Sequence, residues 1–326
     1  MMRTHWAVIG VFALVACQPA DVDVDDDVGE EEVTDLRRPF PSPSEDAITW
    51  ETPEWTIPAQ SERQMCVAHT YGGEAVGIRA QRNYQSPMGH HVTLFGTTVS
   101  DREMPDGEQW DCTSLEALSM TDLEPIMIGG SIVEDEDGSL NEFILPDGMG
   151  AVLKAGQRIV IQSHYLNTTQ SDILVGDAVH LDVIPEAEVE IWAAPLVNTV
   201  TDLHIPANTD GYNVTFDCEF EDPYTVLYIG GHLHEWGDSF QTRYTPNGGT
   251  EEVIYDIPVW DPVLRDAPQY TDYLDGDFTV DTGDVFTTSC TWNNDEDHEL
   301  EFPEEMCVTF GMIYPSKVPV ICAPDE

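Results

Sequence analysis

Arg158-Ile159-Val160-Ile161-Gln162-Ser163-His164-Tyr165 is the stretch that sets the fold class. It follows the turn dipeptide Ala155-Gly156, is rich in β-branched residues and is short, which marks a strand. Runs of the same kind recur at Val92 to Phe95, Ala151 to Leu153, Val179 to Ile184, Val189 to Ala193, Tyr212 to Cys218, Thr225 to Ile229, Ser239 to Tyr244, Val285 to Trp292 and Met306 to Ile313. The dipeptides Asp147-Gly148, Asp210-Gly211, Asn247-Gly248 and Asp275-Gly276 punctuate them. No long stretch of helical period competes; Leu115 to Met120 suits a short helical turn. Short strands at regular spacing predict an all-β chain of two tandem antiparallel β-sandwiches, jelly-roll-like, over 46–186 and 187–326. The break between them falls near Pro185 to Glu190.

Outward from the folded part, the N-terminus reads as an export signal. A single charge at Arg3 precedes an apolar run from Trp6 to Ala16, too short for a permanent membrane span and suited to a secretory segment, residues 1–16. The run ends in Leu14-Val15-Ala16-Cys17, which resembles a bacterial lipobox and makes Cys17 the expected lipidation site. Gln18, where an Asp would favour inner-membrane retention, points to the outer membrane, on either its periplasmic or its cell-surface face. Residues 17–45 read as an acidic disordered tether. Asp21 to Asp35 has too little apolar surface to offset ordering entropy, and Pro39, Pro41 and Pro43 stiffen the approach to the fold.

The chain carries 12 Lys+Arg against 62 Asp+Glu, a formal net charge of −50. Phosphate repulsion at that charge excludes nucleic acid as a partner, and no polybasic patch is available for a membrane surface. Such a surface fits adaptation to salt or solubility by self-repulsion. Of 7 Cys, Cys17 belongs to the lipobox. The other six, Cys66, Cys112, Cys218, Cys290, Cys307 and Cys322, form an even set, which in an exported protein predicts disulfides. Their number alone leaves the pairing open.

The chemistry lies in a few histidines and one methionine. His90 and His91 are adjacent, so a regular strand would send their rings to opposite faces; Met88-Gly89 just upstream permits a bulge that brings them together. His164 shares its strand face with Gln162, while Ser163 points away. His232 and His234, at i and i+2, project from one face, and Gly230-Gly231 before them allows close backbone approach. Taken singly, a His-His pair suits a surface, His164 a satisfied core position and Met306 core packing. Taken in order, five imidazoles and a thioether suit copper, which accepts soft sulfur in one oxidation state and imidazole in both. His5 lies in the signal segment, and His69, His180, His204 and His298 have no ligand-like company in the sequence. No P-loop, dinucleotide fingerprint, Gly-x-Ser-x-Gly or His-Glu-x-x-His motif occurs.

The stretches His90-His91-Val92-Thr93-Leu94-Phe95-Gly96, Gln162-Ser163-His164-Tyr165, His232-Leu233-His234-Glu235-Trp236-Gly237 and Glu305-Met306-Cys307-Val308 occur in the order found in the copper type II, ascorbate-dependent monooxygenases, the group of dopamine β-monooxygenase and peptidylglycine α-hydroxylating monooxygenase. The resemblance spans Cys66 to Cys322. It implies two β-sandwiches with a metal cleft between them and two coppers per chain. His90, His91 and His164 would hold an electron-storing copper. His232, His234 and Met306 would hold the catalytic copper, at which dioxygen hydroxylates a C–H bond of a small organic substrate. Gln162 matches a family glutamine linked to electron transfer, and a strand hydrogen bond explains it equally well. The resemblance also implies the pairs Cys66–Cys112, Cys218–Cys322 and Cys290–Cys307.

The sequence departs from the peptide enzyme where that enzyme anchors a carboxylate. Its Arg, Asn and Tyr correspond to Gly230, Val308 and Phe310, so peptide amidation is not expected. The electron donor, ascorbate or another bacterial reductant, is left open. The alternative reading is an exported copper-binding or electron-transfer lipoprotein without hydroxylase activity.

Overall fold

The computed structural model describes residues 33–100, 102–113, 123–127, 131–135, 138–302 and 304–323. The signal segment, Cys17, His5, most of the acidic stretch and Leu115 to Met120 lie outside these residues. In the first half the principal strands are β1 (Ser61–Thr70), β2 (Val76–Gln85), β3 (Gly89–Thr97), β4 (Gly138–Ile144), β5 (Met149–Leu153), β6 (Arg158–Asn167) and β7 (Asp177–Pro185). In the second half they are β8 (Ile191–Thr199), β9 (Thr209–Glu219), β10 (Tyr224–His232), β11 (Gly237–Thr245), β12 (Glu252–Ile257), β13 (Val285–Asn294) and β14 (Val308–Tyr314). One short helix, α1 (Val263–Asp266), follows β12. The chain is an all-β protein of sandwich type, and every run read as a strand from the sequence overlaps one of these elements.

Two of the smaller sheets pack against one large one. A five-stranded sheet centres on β1, β6 and β3, and a four-stranded sheet has the order β9-β13-β11-β12. Between them a twelve-stranded sheet runs through β7, β2, β5, β8, β14 and β10. The alternation of side chains along a strand lets this sheet serve two cores. Phe310 and Met312 of β14 and Leu227 and Tyr228 of β10 enter the first core, with Val67, Leu94, Ile159, Ile161 and Leu181. Ile313 and Ile229 turn the other way, onto Phe240, Phe286 and Trp292.

Among the described residues, strand pairing is antiparallel except where the halves join and at the short strands Thr34–Asp35 and Val320–Cys322. The halves are spliced by a parallel pair, β5 with β8, in the register Met149↔Ile191, Gly150↔Trp192 and Ala151↔Ala193. The splice is tight. A Cβ on Gly77 would lie 2.4 Å from Val189 Cγ2, and one on Gly150 would lie 3.1 Å from the Gly77 Cα. Just before β8, where the break between the halves was expected, Glu186–Glu188 forms a single 3₁₀ turn.

The expected tether also ends earlier than residue 45. Thr34–Asp35 pairs in parallel with Ile173–Leu174, Arg37 forms ion pairs with Asp35 and Glu54, and Arg38 donates to the Ser139 carbonyl at 3.1 Å. Main-chain pairing and two guanidinium contacts hold a segment whose own composition is too polar to bury.

The disulfides are Cys66–Cys112, Cys218–Cys322 and Cys290–Cys307. Three bridges mark a protein of an oxidising, exported compartment. No helix among the described residues is long and apolar enough to cross a membrane.

Candidate metal centre

The first histidine cluster is made by a bulge. β3 and β6 pair His91 with His164 and Gly89 with Tyr165, and the register shifts between them, leaving His90 as the extra residue. Met88 turns the chain with φ 71°. Gly89 is required because a Cβ there would lie 2.7 Å from the Gln85 Cβ. The result is that His90 and His91 both reach His164, with ring centroids 5.1 and 4.9 Å away.

His164 is almost fully buried, and Glu62 of β1 sets its tautomer. Its Nε2–H donates to Glu62 Oε1 at 2.6 Å, which leaves the lone pair on Nδ1. That Nδ1 is buried and has no hydrogen-bond partner. Burial pushes the imidazole down to about 4 despite Glu62, so the ring is neutral at pH 7. Glu62 is held down at about 2, chiefly by the hydrogen bond from His164. A neutral imidazole, oriented by a carboxylate and with its second nitrogen unpartnered toward two more imidazoles, is the donor chemistry of a late first-row metal site. Gln162 makes contacts with Gln64 Oε1 at 3.0 Å and Cys112 Sγ at 4.0 Å, above the Cys66–Cys112 bridge.

The second cluster forms at the end of β10. His232 and His234 face one another edge to face, with their Nε2 atoms 3.0 Å apart. His234 Nδ1–H donates to the Glu304 carbonyl at 2.9 Å, which leaves Nε2 as its lone-pair atom. Burial lowers the His234 pKa. The two glycines before the pair admit rings rather than a ligand. A Cβ on Gly230 would lie 2.6 Å from Phe310 Cζ, and one on Gly231 would lie 2.4 Å from the Phe240 ring. Phe310 continues into an aromatic chain through Tyr270, Tyr228 and Phe143. Packed rings thus fill the space around Gly230 and Gly231.

Glu305 organises this side, a role the sequence reading did not assign. It is fully buried. Its Oε2 accepts from His234 N at 3.0 Å, Trp292 Nε1 at 2.8 Å and Met306 N at 3.2 Å, and its Oε1 accepts from Trp236 N at 2.9 Å. Burial raises its pKa to about 7 against the pull of these donors. One carboxylate therefore ties the His-x-His loop to the segment carrying Met306, and the Cys290–Cys307 bridge braces the next residue. In so acidic a chain, Glu304-Glu305 reads as surface; only its neighbour Met306-Cys307 hinted otherwise.

Arg265 of α1 bridges the two clusters. Its guanidinium donates to His90 Nδ1 at 3.4 Å, and it lies 3.7 Å from Glu62 Oε1 and 3.7 Å from Glu235 Oε2. Beside His234, Asp210, Glu235, Trp236, Gly237, Asn293 and Asp295 line an open hollow of about 580 Å³.

The ring nitrogens of the first cluster adjoin without converging to ligand spacing. Among the described residues, the group of three donors already within 4.8 Å of one another is His204, Glu299 and Glu301. This corrects the reading that His204 lacks ligand-like company. Its two nitrogens lie 3.1 Å from Glu299 and 3.1 Å from Asp202, and these carboxylates, Glu299 first, raise its pKa. His298 likewise meets Glu304 Oε1 at 3.0 Å. Strand pairing of His204 with Glu301 made company that sequence distance conceals. His69 and His180 pack against Trp50 and Tyr84.

No known family model matches the chain, and no curated protein matches it. Among solved structures, recombinant N-glycanase F (PNGase F) aligns over 85% of this chain and 98% of its own, at 10% identity and TM-score 0.34. PNGase F from Flavobacterium meningosepticum covers the same shares at 11% identity and TM-score 0.27. A putative secreted protein from Eubacterium rectale aligns over 78% of this chain and 70% of its own, at 10% identity and TM-score 0.23. Scores this low tie the chain to none of these proteins' activities.

Proposed function

We propose that this chain is an exported copper-dependent monooxygenase that hydroxylates a C–H bond of a small organic substrate. The observation that carries the reading is the buried, unpartnered Nδ1 of His164, set by Glu62 and adjoined by His90 and His91. His90, His91 and His164 would hold one copper; His232, His234 and Met306 would hold the other. Copper, when bound, supplies dioxygen chemistry through its two accessible oxidation states, the lower one favoured by the thioether.

The chain's own residues supply the rest. Glu62 and the Glu304 carbonyl orient one imidazole in each cluster, and burial keeps both of these rings neutral. Glu305 holds the Met306 segment against the His234 loop. Phe310 fills the space at Gly230, and the hollow beside Trp236 is lined by Asp210, Glu235 and Asp295. A neutral or cationic substrate suits this surface better than an anionic one. Dioxygen and an external reductant, ascorbate or a bacterial donor, complete the reaction. Lipidation at Cys17 would anchor the chain, on the Gln18 argument at the outer membrane.

The test is copper stoichiometry on the full chain, with dioxygen uptake followed in the presence of ascorbate and a panel of phenethylamines. Two coppers with uptake coupled to a hydroxylated product support the reading. Met306→Ala should then abolish turnover while the fold and the all-histidine site persist; unchanged turnover would remove the hydroxylase assignment. Fewer than two coppers would show that one cluster is misread.

A further inference from the structure

The Arg265 guanidinium sits between the two clusters and is nearly buried, with 12% of its side chain exposed. It meets His90 through Nη2 and both Glu62, the partner of His164, and Glu235, the neighbour of His234, through Nη1. Arginine only donates, so His90 Nδ1 accepts this hydrogen bond and its neutral ring carries its proton on Nε2. His90 can then bind a cation in two ways. Through Nδ1, the ion takes the lone pair that Arg265 now uses. Through Nε2, the ring proton moves to Nδ1 and two donors face each other. Either route breaks the Arg265–His90 contact and brings a cation close to a fixed positive charge.

We propose that Arg265 is a positioning residue that opposes cation loading of the His90–His91–His164 centre and so weights that centre toward monovalent over divalent copper. This rests on the copper reading above. The physical reason is that repulsion from a fixed charge scales with the charge of the ion. At an effective dielectric of about 20, one extra unit of charge several ångströms away changes affinity about tenfold or more. The same contact holds His90 toward Arg265, and the three rings adjoin without converging. Loading therefore draws His90 inward and releases α1.

The test is a pair of chelator-competition titrations of the full chain, one with Cu(II) and one with Cu(I) under anaerobic reduction, on wild type, H164A, R265Q and R265K. H164A identifies the three-histidine centre. R265Q should tighten Cu(II) about tenfold or more and Cu(I) distinctly less. R265K keeps the charge and should retain the wild-type ratio of the two affinities. Equal shifts for both ions in R265Q, no shift, or a Lys variant that behaves like Gln would overturn the proposal while leaving the copper reading intact. Wild-type binding that H164A does not alter would overturn the copper reading itself, and the proposal with it. Hydrogen exchange on the wild type does not depend on any variant folding. Zn(II) should speed exchange across Val263 to Ala267, and unchanged or slower exchange there overturns the release of α1.

Discussion

Glu62 and His164 are two positions apart in register across β1 and β6, with Leu166 directly opposite Glu62, and the carboxylate oxygen lies 2.6 Å from Nε2. A diagonal cross-strand pair of this kind is within reach of long side chains. Here it fixes which nitrogen of a buried imidazole is available. Glu62→Gln should keep the fold and lower the copper affinity of the three-histidine centre about 10- to 100-fold. Chelator competition with a parallel thermal melt checks it; unchanged affinity would mean that Glu62 is an ordinary surface acid.

Glu305 is expected to be the most sensitive single acid in the second half. Glu305→Leu leaves the donors of His234, Trp236, Trp292 and Met306 facing an apolar side chain. A loss of roughly 3 kcal/mol or more is expected, since each stranded buried donor costs about 1–3 kcal/mol before relaxation. Glu305→Gln should lose less, because one amide oxygen still accepts. Denaturant midpoints of the two variants give the order directly.

Asp177 makes stability depend on pH. It is fully buried against the Tyr165 hydroxyl, and burial raises its pKa from 3.8 to about 7. The folded state therefore holds this proton more tightly than the unfolded state does. The contribution is fully present below about pH 4, declines as pH rises toward about 7 and is flat above. Glu305 acts in the same direction, so the comparison has to be differential: the gap between wild type and Asp177→Asn should grow in favour of the Asn variant between pH 4 and 7. Parallel melting curves would sink the assignment.

Gly230→Arg introduces the residue type of the peptide enzyme without building a carboxylate site. The new Cβ lies against Phe310 Cζ at 2.6 Å, and overpacking of this kind costs about 1–3 kcal/mol. The variant should melt lower and show no gain in affinity for peptides ending in a glycine carboxylate. A gain in that affinity would mean that the aromatic chain gives way more easily than packed rings should.

Much of the architecture was legible because strand signals are local. Arg158 to Tyr165 alternates within one segment, so its faces, and with them His164 beside Gln162, follow from the two-residue period alone. Met88-Gly89 leaves room for the bulge at His90 for the same reason. Val76 to Gln85 did not read as a strand, although β2 is central to the large sheet. Gln81, Asn83 and Gln85 are buried there, and Asn83 is paid for by Val92 and Asn141, partners that a linear reading cannot supply.

By itself, then, the sequence determined the β class, the room for a bulge at His90 and an even set of cysteines. These depend on backbone geometry and composition within a few residues. The tertiary structure decided the parallel splice of β5 to β8, the seating of residues 34–38, and the work of Glu62, Glu305 and Arg265. What a charged side chain does depends on which partners share its desolvated surroundings. Those partners lie far along the chain: Glu62 meets His164, Arg265 meets His90, and Glu305 meets the backbone of His234.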